Sequence, residues 1–240
     1  LYANQELIEF TPTGMNIDPT GAQNTVVNSY GETYIYMAIR RPHKPATVVT
    51  DLFDIVTAGG AGTPPPQFTT NFPVDLVLRK GMNDAGSPMF ASRLQGETTM
   101  STSSRTNVEG SAAALKWDYS NGWSSVNETD SNLYAYMFKR SPGFMDVVTY
   151  KGTGSPQTIN HNLGVSPEMM IVKSRNGASG WAVYHSSLQD SATSLLFLHS
   201  ENNAYSGVTQ HWDSSDPTST SFRVANDHDV NRSNYDYVAY

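Results

Sequence analysis

The sequence predicts an all-β protein made of tandem antiparallel β-sandwich repeats, jelly-roll-like, of about 90–100 residues each, with few helices. Three observations carry that expectation. The first is an internal duplication. Asp54-Ile55-Val56-Thr57, Gly60, Gly62 and Pro73-Val74-Asp75-Leu76-Val77-Leu78-Arg79 return as Asp146-Val147-Val148-Thr149, Gly152, Gly154 and Pro167-Glu168-Met169-Met170-Ile171-Val172-Lys173, about 92–94 residues later. The second is a series of short apolar runs, rich in aromatic and β-branched residues and spaced by about 10–15 residues, with turn-forming residues between them. The third is that no stretch keeps a helical period over three turns.

The duplication continues downstream. Phe90 to Gln95 matches Tyr184 to Gln189, and Lys116-Trp117-Asp118 matches His211-Trp212-Asp213, at offsets of about 94–95. Tyr34 to Pro42 matches Tyr134 to Pro142, and the same segment begins again at Tyr237-Val238-Ala239-Tyr240. The expected organisation is therefore the C-terminal part of a preceding repeat over residues 1–45, a second repeat over 46–142, and a third over 143–240, truncated at its last strand.

In chain order, Pro12, Gly14, Pro19, Gly21 and Gly31 interrupt the first 32 residues, which read as irregular or short-strand chain. Tyr34 to Arg40 reads as a strand stopped by Pro42, and Val48 to Thr57 as another β segment. Gly59 to Pro66 is a loop, since consecutive prolines remove the donors a ladder needs. Leu76 to Leu78, Met89-Phe90, Ala113 to Trp117 and Leu133 to Phe138 are the strands of the second unit. Met169 to Val172, Trp181 to Tyr184, Leu195 to Leu198, Val208 to Trp212, Phe222 to Val224 and Tyr235 to Tyr240 are those of the third. Asn176-Gly177, Ser179-Gly180, Asp216-Pro217 and Ser233-Asn234 supply turn chemistry between them.

Composition removes several function classes. The chain has 22 acidic against 15 basic residues, a net charge of −7 and no basic cluster longer than Arg40-Arg41, so nucleic-acid binding is not expected. No apolar run approaches the roughly 18 residues of a membrane span, so no membrane insertion is expected. Cysteine is absent, which excludes disulfides, thiolate metal sites and a cysteine nucleophile.

The run Leu163-Gly164-Val165-Ser166-Pro167-Glu168-Met169-Met170-Ile171-Val172-Lys173-Ser174-Arg175-Asn176, followed by Trp181-Ala182-Val183-Tyr184-His185, a Leu-rich strand and the closing Tyr-Val-Ala-Tyr, resembles a tandem β-domain of tail-fibre and other virion structural proteins of tailed bacteriophages, the marine type especially. The second unit departs from that pattern at Arg79-Lys80-Gly81-Met82. The resemblance implies a non-enzymatic role and location in the virion, as a rigid segment of a tail fibre or similar appendage. Partners would be its own copies, as a homo-oligomer with a trimer favoured, other virion proteins and a host-surface glycan. It brings no catalytic residues with it. Two alternatives come from other classes: a glycan-binding, lectin-like module and a glycan depolymerase of a tailspike.

Residue constellations are weighed beside that reading. Asp227-His228-Asp229-Val230-Asn231 places oxygen ligands at alternate positions, so Asp227, Asp229 and Asn231 are candidates for Ca²⁺. A polar hairpin whose Asp and Asn side chains cap their own backbone is preferred, because neither the glycine nor the distal Glu of a calcium loop follows. On that ground no cofactor is expected. His161, His185, His199, His211 and His228 all fall in the third unit, with Ala91 and Lys116 at the positions matching His185 and His211, so surface or hydrogen-bonded roles are expected of them. Glu168, Asp190, Asp213 and Asp229 would be the acids of a depolymerase. Trp123, Trp181 and Tyr205 are the candidate glycan contacts, while Trp117 and Trp212, at equivalent positions, are expected to pack. Arg40, Arg140 and Arg175 have two open readings: bridges between successive domains or subunits through carboxylates such as Asp54 and Asp146, or solvated ends of strands.

Overall fold

A computed structural model describes residues 8–11, 14–17, 46, 48–60, 63–82, 88–101, 107–111, 115–125 and 132–240. The strand expected over Tyr34 to Arg40, with Arg40 itself, lies outside these residues. The architecture is all-β, with antiparallel pairing throughout. Ile8–Thr11 (β1) and Gly14–Ile17 (β2) form a hairpin. In the second unit, Phe53–Thr57 (β3), Leu76–Gly81 (β5), Met89–Ser92 (β6), Thr98–Ser101 (β7), Gly110–Ser111 (β8) and Leu133–Phe138 (β11) make a six-stranded sheet in the order β3-β11-β5-β6-β7-β8. Phe68–Thr69 (β4), Gly122–Ser125 (β10) and Leu115–Lys116 (β9) make a smaller sheet in the order β4-β10-β9.

The third unit repeats this plan. Val148–Lys151 (β12), Asp236–Ala239 (β18), Met169–Ser174 (β14), Trp181–His185 (β15) and Leu196–Phe197 (β16) form a five-stranded sheet in that order, and Gln157–Asn160 (β13) pairs with Ser221–Val224 (β17). In both units the last strand inserts between the first and the second of the large sheet. The third unit's closing strand, β18, takes the corresponding place. It is shorter than its counterpart: β18 pairs with β14 over Val172–Ser174, whereas β11 pairs with all of Leu76–Gly81.

Each large sheet packs one face on its own small sheet. Val77, Ala91, Ala135 and Met137 meet Phe68, Leu115, Trp117 and Trp123 in the second unit. Met170, Val172, Ala182, Tyr184, Tyr237 and Ala239 meet Ile159, Phe222 and Val224 in the third. Trp117 and Trp212 are equivalent packing residues, as expected: both are buried, and their indole N–H groups donate to Gly96 O at 2.6 Å and Ser194 O at 3.0 Å.

The alternate residues of the same strands point the other way, because side chains alternate along a strand. Leu76, Leu78, Phe90 and Phe138 of one large sheet pack against Val147, Ile171, Trp181, Val238 and Tyr240 of the other. Phe90 lies 4.9 Å from Trp181 and 5.8 Å from Tyr240, centroid to centroid. The layers therefore run small sheet, large sheet, large sheet, small sheet. One detail of the duplication changes with this. Val77 faces its own core while Ile171, its partner in the sequence match, faces the interface, so the loops after Pro73 and Pro167 differ by one residue of register.

Polar groups close the rim of this interface. Arg175 holds Glu109 with two bonds of 2.8 and 3.0 Å, Glu109 N–H donates to Arg175 O at 2.7 Å, and the Tyr240 hydroxyl donates to Gln95 Oε1 at 2.7 Å. At the connector, Arg140 Nε donates to Asp146 Oδ1 at 2.6 Å, Gly143 N–H donates to Leu163 O at 2.6 Å, and Ser141 bridges to Met145. Arg140 and Arg175 therefore tie the two units together, the bridging one of their two readings. Asp54, by contrast, accepts the N–H of its neighbour Ile55.

Two segments differ from the strand expectation. Val208 to Trp212 contains a single helical turn, Thr209–Trp212 (α1), closed by Asp213 in the left-handed region at φ 52°. The Gln210 and His211 carbonyls accept from Asp227 and Ala225, so this segment hangs on the 225–227 loop in place of a neighbouring strand. A run this short carries no period that separates one helical turn from a strand. His228–Asn231 (α2) is likewise a helical turn. These are the two α-helices among the described residues.

Trp181→Ala is expected to cost about 3–5 kcal/mol, and the Phe90→Ala/Trp181→Ala cycle to show about 0.5–1.5 kcal/mol of coupling in denaturant unfolding. Burial holds the Tyr240 hydroxyl well above the usual phenol range, with the Glu109 charge adding to it. A raised folded pKa gives stability that is whole below the unfolded value near 10 and is lost as pH climbs past it. Tyr150, and Tyr237 at about 12, act in the same direction. Tyr240→Phe is expected to flatten, without abolishing, the fall in melting temperature above about pH 10.

Candidate functional site

The two helical turns of the third unit bring together the strongest chemical cluster among the described residues. His211, on α1, meets Asp227 and Asp229, which flank and open α2; one ligand-type atom from each lies within 4.8 Å of the others. Asp227 is the N-cap: its Oδ1 accepts the Asp229 N–H at 2.8 Å. That is the backbone-capping role expected of this segment, carried out at a helical turn in place of a hairpin. Asp229 Oδ1 accepts the Gly180 N–H. A Cβ at Gly180 would sit 2.6 Å from the Phe197 ring, so glycine is needed for the backbone to come this close to the carboxylate.

His211 is 5% exposed, and neither ring nitrogen makes a hydrogen bond. Its Nε2 stands 3.4 Å from Asp227 Oδ1 and 3.7 Å from Asp229 Oδ2. His228 covers the solvent side, Nδ1 3.4 Å from Asp227 Oδ1 and Nε2 3.3 Å from Asp229 Oδ1. Burial alone would push the Asp229 carboxyl up. The His211 imidazole, the Gly180 N–H and His228 outweigh burial and hold it below its usual value. Nearby, Lys173 is fully buried, with Nζ donating to Ser179 O and Oγ at 3.1 Å each, and burial lowers its ammonium to about 8 against the opposing charge of Asp229.

Asn231 does not join Asp227 and Asp229. Its Oδ1 accepts from Thr153 N and Gln157 Nε2, and its Nδ2 donates to Ser155 O and Ala225 O, which uses the amide in holding loops together. His211, expected to be a surface or hydrogen-bonded histidine, is instead buried and unbonded. The match of His211 to Lys116 hid it, because only the third unit folds a helical turn there. His161 and His185 do hydrogen-bond the nearby backbone.

The glycan candidates separate as well. Trp123 and Trp181 are completely buried, Trp123 against Phe68 and Trp117, Trp181 in the interface between units, so neither can stack on a sugar. Tyr205 is 42% exposed, its hydroxyl accepting from Asn202 Nδ2 at 3.0 Å. Of the acids considered for glycan cleavage, Asp213 is engaged by Arg223.

Residues 82–240 match a family described as a domain of unknown function, DUF7483. The chain belongs to that family. The match begins just after β5 and takes in the whole third unit, including His211, Asp227 and Asp229. No curated protein and no solved structure matches the chain.

The cap gives this site its own prediction. In the presence of chelator, Asp227→Ala is expected to lower stability by about 1 kcal/mol, whereas Asp227→Asn, which still accepts the Asp229 N–H, is expected to stay within a few tenths in thermal unfolding.

Proposed function

We propose that this chain is a non-enzymatic structural segment of a tailed-phage appendage, a tail fibre or a related virion part, in which tandem β-sandwich units form a stiff body. The observation that carries the reading is the second apolar face of each large sheet. A unit whose outer sheet face is apolar is built to be covered by a neighbour, as in repeat arrays where stacking supplies the core. The connector supports stiffness, since Ser141, Gly143 and Met145 are bonded in place and leave little free chain between the units. Phage membership rests on the resemblance of the 163–185 segment and the closing Tyr-Val-Ala-Tyr.

Assembly as a homo-oligomer, with a trimer favoured, belongs to the same reading, as does weak polyvalent contact with a host-surface glycan. Exposed Tyr205 is the surface aromatic suited to that contact. Peptides of this chain are expected in purified particles of the phage that encodes it, and antibodies against it are expected to decorate an appendage. Finding the chain absent from particles, or finding that it shortens a host polysaccharide in solution, would overturn the proposal in favour of a lectin-like module or a depolymerase.

A further inference from the structure

We infer that His211, Asp227 and Asp229 bind one divalent transition cation, with Zn²⁺ the best fit, which fastens the two helical turns of the third unit to each other and to β15. The inference is independent of the phage reading. Its strongest ground is His211. Both of its ring nitrogens are buried without a hydrogen bond, and a cation bound at Nε2, the nitrogen that faces the two carboxylates, would give that atom the partner it lacks.

The spacing fits an ion. A tetrahedral site with metal–ligand bonds of about 2.1 Å has edges of about 3.4 Å. The His211 Nε2 separations from the two carboxylates are 3.4 and 3.7 Å. An imidazolium paired directly with these carboxylates would draw in to the roughly 2.7–2.9 Å of a charge-assisted bond. The wider gap leaves room for a cation between the donors. Two carboxylates and a neutral imidazole also match the charge of a dication.

The donor set selects the metal. Ca²⁺ takes six to eight oxygen ligands, whereas one imidazole with two carboxylates suits zinc and its first-row neighbours. Water is the candidate fourth ligand, while His228 pairs with the two carboxylates from outside the group. Outer contacts hold the ligands at the right angle, as metal sites require. The Asp229 N–H fixes Asp227, the Gly180 N–H fixes Asp229, and the Ala225 and Asp227 N–H groups hold α1 against the loop that carries the acids. The bound cation would thus act in structure, tightening the edge of the third sandwich.

The test uses the tag-free full chain, stripped with chelator and dialysed, then titrated separately with Zn²⁺ and Ca²⁺. Metal analysis is expected to return one zinc per chain, and saturating Zn²⁺ to raise the melting temperature by about 5 °C or more, with Ca²⁺ at equal concentration giving little shift. His211→Gln is expected to lose both effects. Should that variant fold poorly, Asp227→Asn retains the helix cap and is expected to weaken zinc binding at least tenfold. Retention of no zinc by the wild type, unchanged zinc binding in Asp227→Asn, or a shift produced equally by Ca²⁺ would each overturn the assignment.

Discussion

Both faces of each large sheet are apolar, and nearly everything else in this chain follows from having to cover them. In an ordinary antiparallel sandwich one face meets the core and the other meets water, which gives strands that alternate apolar and polar residues. Here β5 reads Leu76, Val77, Leu78, and β14 reads Met170, Ile171, Val172, with alternate residues committed to different cores. Water could not serve as the partner of Leu76, Phe90, Ile171 and Trp181 without exposing a large contiguous apolar patch. Packing the two sheets on each other removes it, and the short bonded connector is what allows adjacent units to reach that arrangement.

The polar groups follow from this layering. Arg175, Glu109, Gln95 and Tyr240 lie where the apolar contact ends, and each finds its partner in the opposite unit, so the rim fixes orientation while the ring contacts supply most of the burial. The third unit adds a local variation. Where the second unit carries β9, the third makes one helical turn, and that turn brings His211 over the Asp227–Asp229 segment. Among the described residues, this cluster is found in the third unit.

Most of the strand plan was legible in the sequence because it rests on short-range signals. β11 coincides with the run Leu133 to Phe138, and β14, β15 and β17 lie on the expected apolar runs. What escaped depended on register or on distant contacts. A one-residue difference after the matched prolines sends Ile171 outward where Val77 points inward, and sequence matching cannot see which face a residue serves. Trp123 and Trp181 carry the composition of sugar-stacking residues, yet their burial is decided by sheets brought together from far along the chain. Asp227 and Asp229 were visible as alternating oxygen donors. Their partner was not, because His211 reaches them only through a helical turn too short to leave a periodic signature.

The central claim is that the two units are one body joined sheet to sheet, and the absence of native cysteine makes it directly testable. Glu109 N–H donates to Arg175 O at 2.7 Å across the interface, so the two backbones are adjacent there and cysteines at these positions would be neighbours. The double variant Glu109→Cys/Arg175→Cys, oxidised at low concentration, is expected to form the intrachain bridge nearly completely while keeping the hydrodynamic size of the parent. Free thiols throughout, or disulfides formed only between molecules, would contradict the face-to-face packing on which the account depends.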